Sequence, residues 1–506
     1  MIRRMQKECE SSCEYILPDY LGDVKKVVLT TAKAQPSGQF ESDGELECAG
    51  IVTYDVVYLD SENKLSCASF SSDYDFSLKK PSENYTDAYT MTELSNFAIR
   101  LTGPRRMIAK SNVTSEICVI EKWNHEERGN AFSESETLEK ITRELNVESG
   151  VKSEITEREY AEEVASIEGV SADEIEVITS SAYVRISESI PVKDGVNVKG
   201  ELIVTALIRT PDSSVFAIRR EIPFDETVSI STDGENLSAI ADVKVTSLNI
   251  SANDGEGGSS LVANAIAEFS ALTLFNEAVT VISDAYLKNC DTVSEYENVK
   301  VQSLVACETK SDSINVKIPL KELGIENVKE IFALNQDFRS LGLKREGNAV
   351  YFTGEIAFSG VACEILEDGE PHIIGLKFEH PVEINVNNNC QNSDSSRVFA
   401  KISPAGCEWE IEGECLNVLV RYNLSYSISE EDNVRCLASC EIVENTEFKK
   451  KASRVSVYYP DENETLFEIA KKFHTSVQDI ARDNMITEAT SLGMPVKSGY
   501  KKLIIR

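Results

Sequence analysis

The chain is poor in the residues that most often do chemistry or read ligands: four histidines and two tryptophans occur in 506 residues. With only 25 glycines and 13 prolines it is neither collagen-like nor a low-complexity chain. No run of about 18 consecutive apolar residues occurs, so no segment is expected to span a bilayer as a helix. Cations are scarce as well, with 51 Lys plus Arg against 85 Asp plus Glu, a net charge of −34. That deficit argues against nucleic acid, where affinity comes mostly from cations neutralising phosphates, and against anionic lipid surfaces. The opening MIRRMQKECESSCEYILPDYLGD lacks the apolar run of a signal peptide, and a soluble cytosolic protein is expected. Thirteen cysteines, odd in number and scattered, fit that compartment as reduced, half-buried small hydrophobes.

A catalytic constellation does not emerge. The histidines are His125, His372, His380 and His474, and no HExxH, phosphate-binding glycine loop, GxSxG elbow or GxGxxG after a strand is present. Cys9 with Cys13, and Cys436 with Cys440, have neither a neighbouring histidine nor a second pair to complete a zinc site. His372 and His380 flank a strand-like run, where structural roles outweigh a metal pair or a general base. The loop Asn253 to Gly258 is acidic and glycine-rich, but it lacks the alternating ligands of a calcium loop and reads as a hairpin turn. Trp123 and Trp409 could anchor a partner or a sugar, although packing is the better reading. No catalytic residue, metal or cofactor is therefore expected, and the chain reads as a binding protein.

What the sequence does have is an internal repeat. GIVTYDVVYLDSENK begins at Gly50, GELIVTALIRTPDSS at Gly200 and GEIAFSGVACEILEDGE at Gly354, with apolar stretches containing Val27, Val177 and Ile331 at the same distance upstream. Phe76, Phe224 and Phe378 follow at nearly constant offsets. Apolar residues alternate within each unit, as in Val350, Phe352, Ile356 and Phe358, the period of a strand with one buried face. Turn-rich stretches follow at Asp60 to Lys64, Pro211 to Ser214 and Glu367 to Pro371, so a hairpin is predicted in each unit. The fold class is mainly β: three tandem antiparallel modules, each a sandwich or open barrel, followed by a small C-terminal domain. The modules are assigned to residues 1–128, 171–289 and 290–450. A helical connector is predicted over 129–170, where Leu138, Ile141 and Leu145 sit at helical spacing among charges. The last domain, 455–506, holds seven basic and seven acidic groups, so the modules carry all the net acidity.

That last domain has its own grammar. Val455, Val457 and Tyr459 alternate as a strand, while Leu466, Ile469, Ala470 and Phe473 mark a helix. Val477, Ile480 and Ala481 mark a second, with Ser476 as N-cap, and Leu503 to Ile505 form a closing strand. The order is βααβ. The run Asn463-Glu464-Thr465-Leu466-Phe467-Glu468-Ile469-Ala470 and the helix end Asp483-Asn484-Met485 resemble a LysM module, in which a Gly-Asp-Thr-Leu-aromatic-x-Ile-Ala run precedes an Asn-containing helix end. The resemblance implies binding of N-acetylglucosamine-containing glycan in a shallow groove between the strand-to-helix loop and the loop after the second helix. By position, Asn463, Glu464, Thr465 and Phe467 would form one wall, and Met485, Ile486 and Met494 the other. Two departures stand out: Asn463-Glu464 replaces Gly-Asp, and the stretch from Asn484 to Leu503 is longer than the family's.

Three β repeats ahead of one LysM module, with the opening Tyr15-Ile16-Leu17-Pro18-Asp19-Tyr20-Leu21, resemble the clostridial SipL-type family of spore-coat morphogenetic proteins, built of DUF3794 (SPOCS) repeats and a C-terminal LysM domain. That resemblance implies a non-enzymatic assembly scaffold in the mother-cell cytoplasm. Its LysM domain would dock on a stage IV sporulation protein A-like coat ATPase at the forespore surface.

Overall fold

The computed structural model describes residues 2–42, 44–79, 85–121, 138–212, 214–231, 236–255, 257–288, 291–325, 328–365, 371–387, 396–443, 455–461, 463–486, 496 and 502–506. Among these described residues nineteen strands come first: β1 (Ile2–Ile16), β2 (Val24–Ser42), β3 (Glu45–Asp60), β4 (Leu65–Lys79), β5 (Tyr85–Gly103), β6 (Arg106–Glu121), β7 (Leu138–Lys152), β8 (Thr156–Glu168), β9 (Glu176–Val192), β10 (Gly195–Arg209), β11 (Val215–Ser229), β12 (Ser238–Gly255), β13 (Gly258–Leu287), β14 (Thr292–Pro319), β15 (Val328–Glu346), β16 (Ala349–Ile365), β17 (Pro371–Asn387), β18 (Ser396–Glu412) and β19 (Cys415–Ile442). The C-terminal segment adds β20 (Ser456–Tyr458), α1 (Leu466–Lys472), α2 (Val477–Asp483) and β21 (Leu503–Ile505), the expected βααβ order. No helix among the described residues is long and apolar enough to cross a membrane.

The repeat is visible in the topology. Each module has a three-stranded meander, β2-β3-β4, β9-β10-β11 or β15-β16-β17. A second sheet places the module's last strand in the middle: β1-β6-β5, β7-β13-β12 with β8 also on β13, and β14-β19-β18. Alternating side chains of the two sheets meet in one core per module, as where Tyr54 and Phe76 meet Val113 and Ile117, or Val204 and Phe224 meet Leu261 and Phe269. The third core, including Phe352 and Leu416, is built alike. Each module is thus a pair of facing sheets rather than a closed barrel.

The landmark glycines have one shared cause. Gly50, Gly200 and Gly354 each face a bulge in the first strand of their meander, at Pro36/Gly38, Ile186/Glu188 and Arg339/Gly342. A Cβ on Gly50 would collide with the Gln35 carbonyl and the Tyr74 ring, and one on Gly200 with the Arg185 carbonyl and the Phe224 ring. The residues paired with the three glycines on the third strand are Tyr74, Phe224 and Val382, so of the three phenylalanines only Phe224 occupies that place.

The predicted helical connector over 129–170 is corrected by β7 and β8; its first residues, 129–137, lie outside the described ones. Thr156–Glu168 pairs antiparallel with Gly258–Phe269, and Leu145 and Val147 point inward two residues apart, as a strand requires. The helical spacing of Leu138, Ile141 and Leu145 is a coincidence in a charge-rich stretch, where helix propensity is a weak prior that pairing with a long strand overrides. These strands match β1 and β14 of the other modules, so the supposed connector is the opening of the second module.

Contacts divide the chain into two compact units. The first comprises Met1–Glu121, Ser149–Phe275 and Leu304–Glu430 and contains the three module cores. The second comprises Lys122–Glu148, Asn276–Ser303 and Glu431–Arg506, and includes the βααβ segment.

Candidate functional site

The βααβ segment is held by local signals that the sequence displays openly. Thr465 caps α1 by accepting from the Glu468 amide at 3.1 Å, while Glu468 accepts from the Thr465 amide at 2.8 Å. Ser476 caps α2 by accepting from the Asp479 amide at 3.0 Å. Leu466, Ile469, Ala470, Val477 and Ile480 are buried against Leu503 and Ile505. Asn484 fastens the end of α2 to β21, donating to the Ile504 carbonyl at 2.7 Å and accepting from its amide at 2.6 Å.

Two loops flank these elements. In the first, the Glu464 carboxylate accepts from the Tyr458 hydroxyl at 2.8 and 2.9 Å, and its carbonyl accepts from the Val496 amide at 2.9 Å. That last bond draws the chain beyond α2 onto the first loop. Asn463 is exposed at the loop's tip. After α2, Met485 adopts φ of 54° and is 85% exposed, whereas Ile486 turns back onto the core. Tyr459, 69% exposed, adds an aromatic face beside the first loop.

Residues 462–492 match the LysM domain. LysM domains bind N-acetylglucosamine-containing glycans. No curated protein and no solved structure matches the chain. Strand β21, beyond the match, completes the LysM fold by pairing Tyr458 with Leu503 and Val457 with Ile504.

The nominated LysM residues separate into three groups. Asn463 and Met485 are open to a ligand, and Met494 lies outside the described residues. Glu464, Thr465 and Ile486 are engaged in holding the loops and the helix cap. Phe467 corrects its assignment to the groove wall: it is 1% exposed and packs edge-on against Tyr286, with ring centroids 5.1 Å apart at 70°. The aromatic of the motif is spent on a strand of the same unit, because burying a phenyl ring there gains more than displaying it to water.

The sequence shows part of that strand, the run Leu261 to Phe275, but not its contact with the LysM segment. The Tyr286 hydroxyl donates to the Thr475 carbonyl at 2.7 Å, and Lys471 donates to Asp284 at 2.7 and 2.9 Å. Tyr296 donates to the same carboxylate at 2.8 Å, and His474 lies 3.2 Å from Asp291. Burial pulls the Lys471 ammonium down, but Asp284 outweighs it and the net displacement is upward. Nothing local marks Tyr286 as a LysM contact; only the alternation of Asp284 and Tyr286 on one strand face hints at a covered surface.

Elsewhere the polar residues weighed for chemistry are dispersed. His372 and His380 are both on β17, eight residues and so roughly 26 Å apart along the strand, too far to share an ion. His372 sits 3.3 Å from its cross-strand partner Glu364. Cys9 with Cys13, and Cys436 with Cys440, are likewise about 13 Å apart along strands, and all four are free thiols. Trp409 donates to the Ile331 carbonyl at 3.2 Å and packs on the third core. Trp123 and His125 lie outside the described residues. Gly255 pairs with Gly258 across the β12–β13 turn, the hairpin expected of that loop.

Proposed function

We propose that the chain is a non-enzymatic binding protein in which a three-module β array carries a LysM domain that grips N-acetylglucosamine-containing glycan. The observation that carries this reading is the LysM match over 462–492, seated on loops whose tips leave Asn463, Tyr459 and Met485 in the open. An exposed amide can bond a sugar's acetamido group, while a thioether and an aromatic face cover its C–H surfaces. The test is co-sedimentation of the full chain with purified peptidoglycan. Saturable binding that weakens in a Met485→Asp variant supports the reading; a chain that stays in the supernatant refutes it.

A second reading, a coat-assembly adaptor docking on a stage IV sporulation protein A-like ATPase at the forespore surface, is favoured by a specific pair of observations. Three β modules precede the LysM domain in the order that resembles the spore-coat family. The usual Gly-Asp is Asn463-Glu464, with the Glu464 carboxylate engaged by Tyr458. Several modules on one chain would make successive contacts intramolecular and let weak ones suffice. Immobilised ATPase distinguishes the two: saturable capture there, with none on peptidoglycan, selects the adaptor.

A further inference from the structure

The three modules meet through corresponding residues. Lys33, Tyr183 and Asp337 stand just ahead of the bulge in the first strand of each meander. Lys33 Nζ lies 5.8 Å over the Tyr183 ring and donates to the Ala182 carbonyl at 3.0 Å, while the Tyr183 hydroxyl donates to Asn335 Oδ1 at 3.0 Å. Three sequence-distant modules thus converge on one place inside the first unit.

A cavity of about 220 Å³ opens there, lined by Lys33, Glu93, Asp242, Lys244, Asp337 and Lys401. Ionisable groups are costly in such a place unless paired, and the pairing is incomplete. Asp242 takes up both Lys244, at 3.1 Å, and Lys401, at 3.9 Å. The Glu93 carboxylate has no hydrogen bond and no ion pair within 4.0 Å among the described residues. Among the described residues Asp337 pairs with one cation, Arg339, at 3.8 Å, which it shares with Glu379. Lys33 has one carbonyl and, among the described residues, no carboxylate within 4.0 Å. Burial lowers the pKa of Lys33 against the pull of Asp55, and burial raises that of Glu93 against the pull of Lys401, with Asp242 adding to the rise. Lys33 nonetheless is exposed, and it lines both this cavity and a neighbouring one of about 570 Å³ that Asp337 also borders.

We infer that this cavity is a binding site for a small zwitterion of amino-acid size, its carboxylate directed to Lys33 and its ammonium to Glu93 and Asp337. A dicarboxylate would meet Glu93 with like charge, and a diamine would meet Lys33. The cavity is roomy enough to admit a molecule of that class. Contributions from all three modules give the site a structural consequence, since it exists only when the modules are assembled.

The test is calorimetric titration of the full chain with each of the twenty protein amino acids, with succinate and putrescine as controls of single charge type. At least one amino acid is expected to bind saturably at one site, with affinity reduced tenfold or more by Lys33→Met and by Glu93→Gln. The controls are expected not to bind. Circular dichroism checks both variants for folding, and Glu93→Gln, which removes charge at nearly constant volume, decides the matter should Lys33→Met fail to fold. Absence of binding by every amino acid overturns the inference. So does affinity unchanged by Glu93→Gln, or equal binding of succinate or putrescine.

Discussion

Substituting Phe467 should unfold the LysM domain before it touches ligand affinity. The side chain is 1% exposed, and truncating a buried Phe to Ala costs about 3–5 kcal/mol. Part of that is the edge-on contact with Tyr286, about 0.5–1.5 kcal/mol beyond the area buried. The domain has little to set against such a loss, because both helices are seven residues long and helices of that length are not stable alone. Phe467→Ala should therefore raise amide exchange across 463–486 by several orders of magnitude, while strands β3, β10 and β16 keep their protection. Tyr286→Ala should do the same from outside the domain, and Tyr286→Phe, losing only the bond to Thr475, should cost about 1 kcal/mol. Hydrogen exchange read by mass spectrometry gives both numbers, and the double variant gives the coupling. Single effects that add within about 0.3 kcal/mol would mean that the two rings do not interact, and the reasoning would fail.

Other consequences are equally open to measurement. Asn484→Ala removes both bonds to Ile504 and should destabilise the LysM domain by about 1–3 kcal/mol, read as lost protection at Leu503–Ile505; unchanged protection would show that the clamp is idle. Thr465→Ala should cost about 1 kcal/mol through the lost cap and leave glycan affinity of the folded domain intact, so a selective loss of binding would assign Thr465 to the groove instead. Burial pushes Asp337 up to about 6, with Arg339 opposing and Glu93 adding to the rise. Its folded pKa exceeds the unfolded value near ~3.9, so the native state takes up the proton first, and stability should increase as pH falls from 7 through 6 towards 4. Asp337→Asn should flatten that increase in denaturant midpoint; an identical slope in the variant would exclude Asp337 as its source.

Much of the LysM domain was legible because its determinants are local. Helix caps at Thr465 and Ser476, and the apolar stripes behind them, lie within a few residues of what they cap. The modules were legible as a repeat because each glycine answers the same bulge. The stretch 138–168 was not, since its strand character comes from pairing with β13, about a hundred residues away, and its own charges favour no single conformation. Phe467 was misplaced for a similar reason: whether a motif aromatic faces ligand or protein depends on a strand carrying Tyr286, which leaves no mark beside the motif. The cavity residues Lys33, Glu93 and Asp337 come from two modules, and nothing in their local context distinguishes them from solvent-facing charges.

Methyl NMR of the full chain labelled at methionine, titrated with a chitin tetrasaccharide, tests the central claim most directly. Met485 is 85% exposed at the LysM loop, whereas Met91 and Met107 are buried in the first unit at 2% and 0%. The account predicts a saturable shift of the Met485 methyl with Met91 and Met107 unmoved. A Met485 signal that stays in place up to millimolar glycan would contradict it.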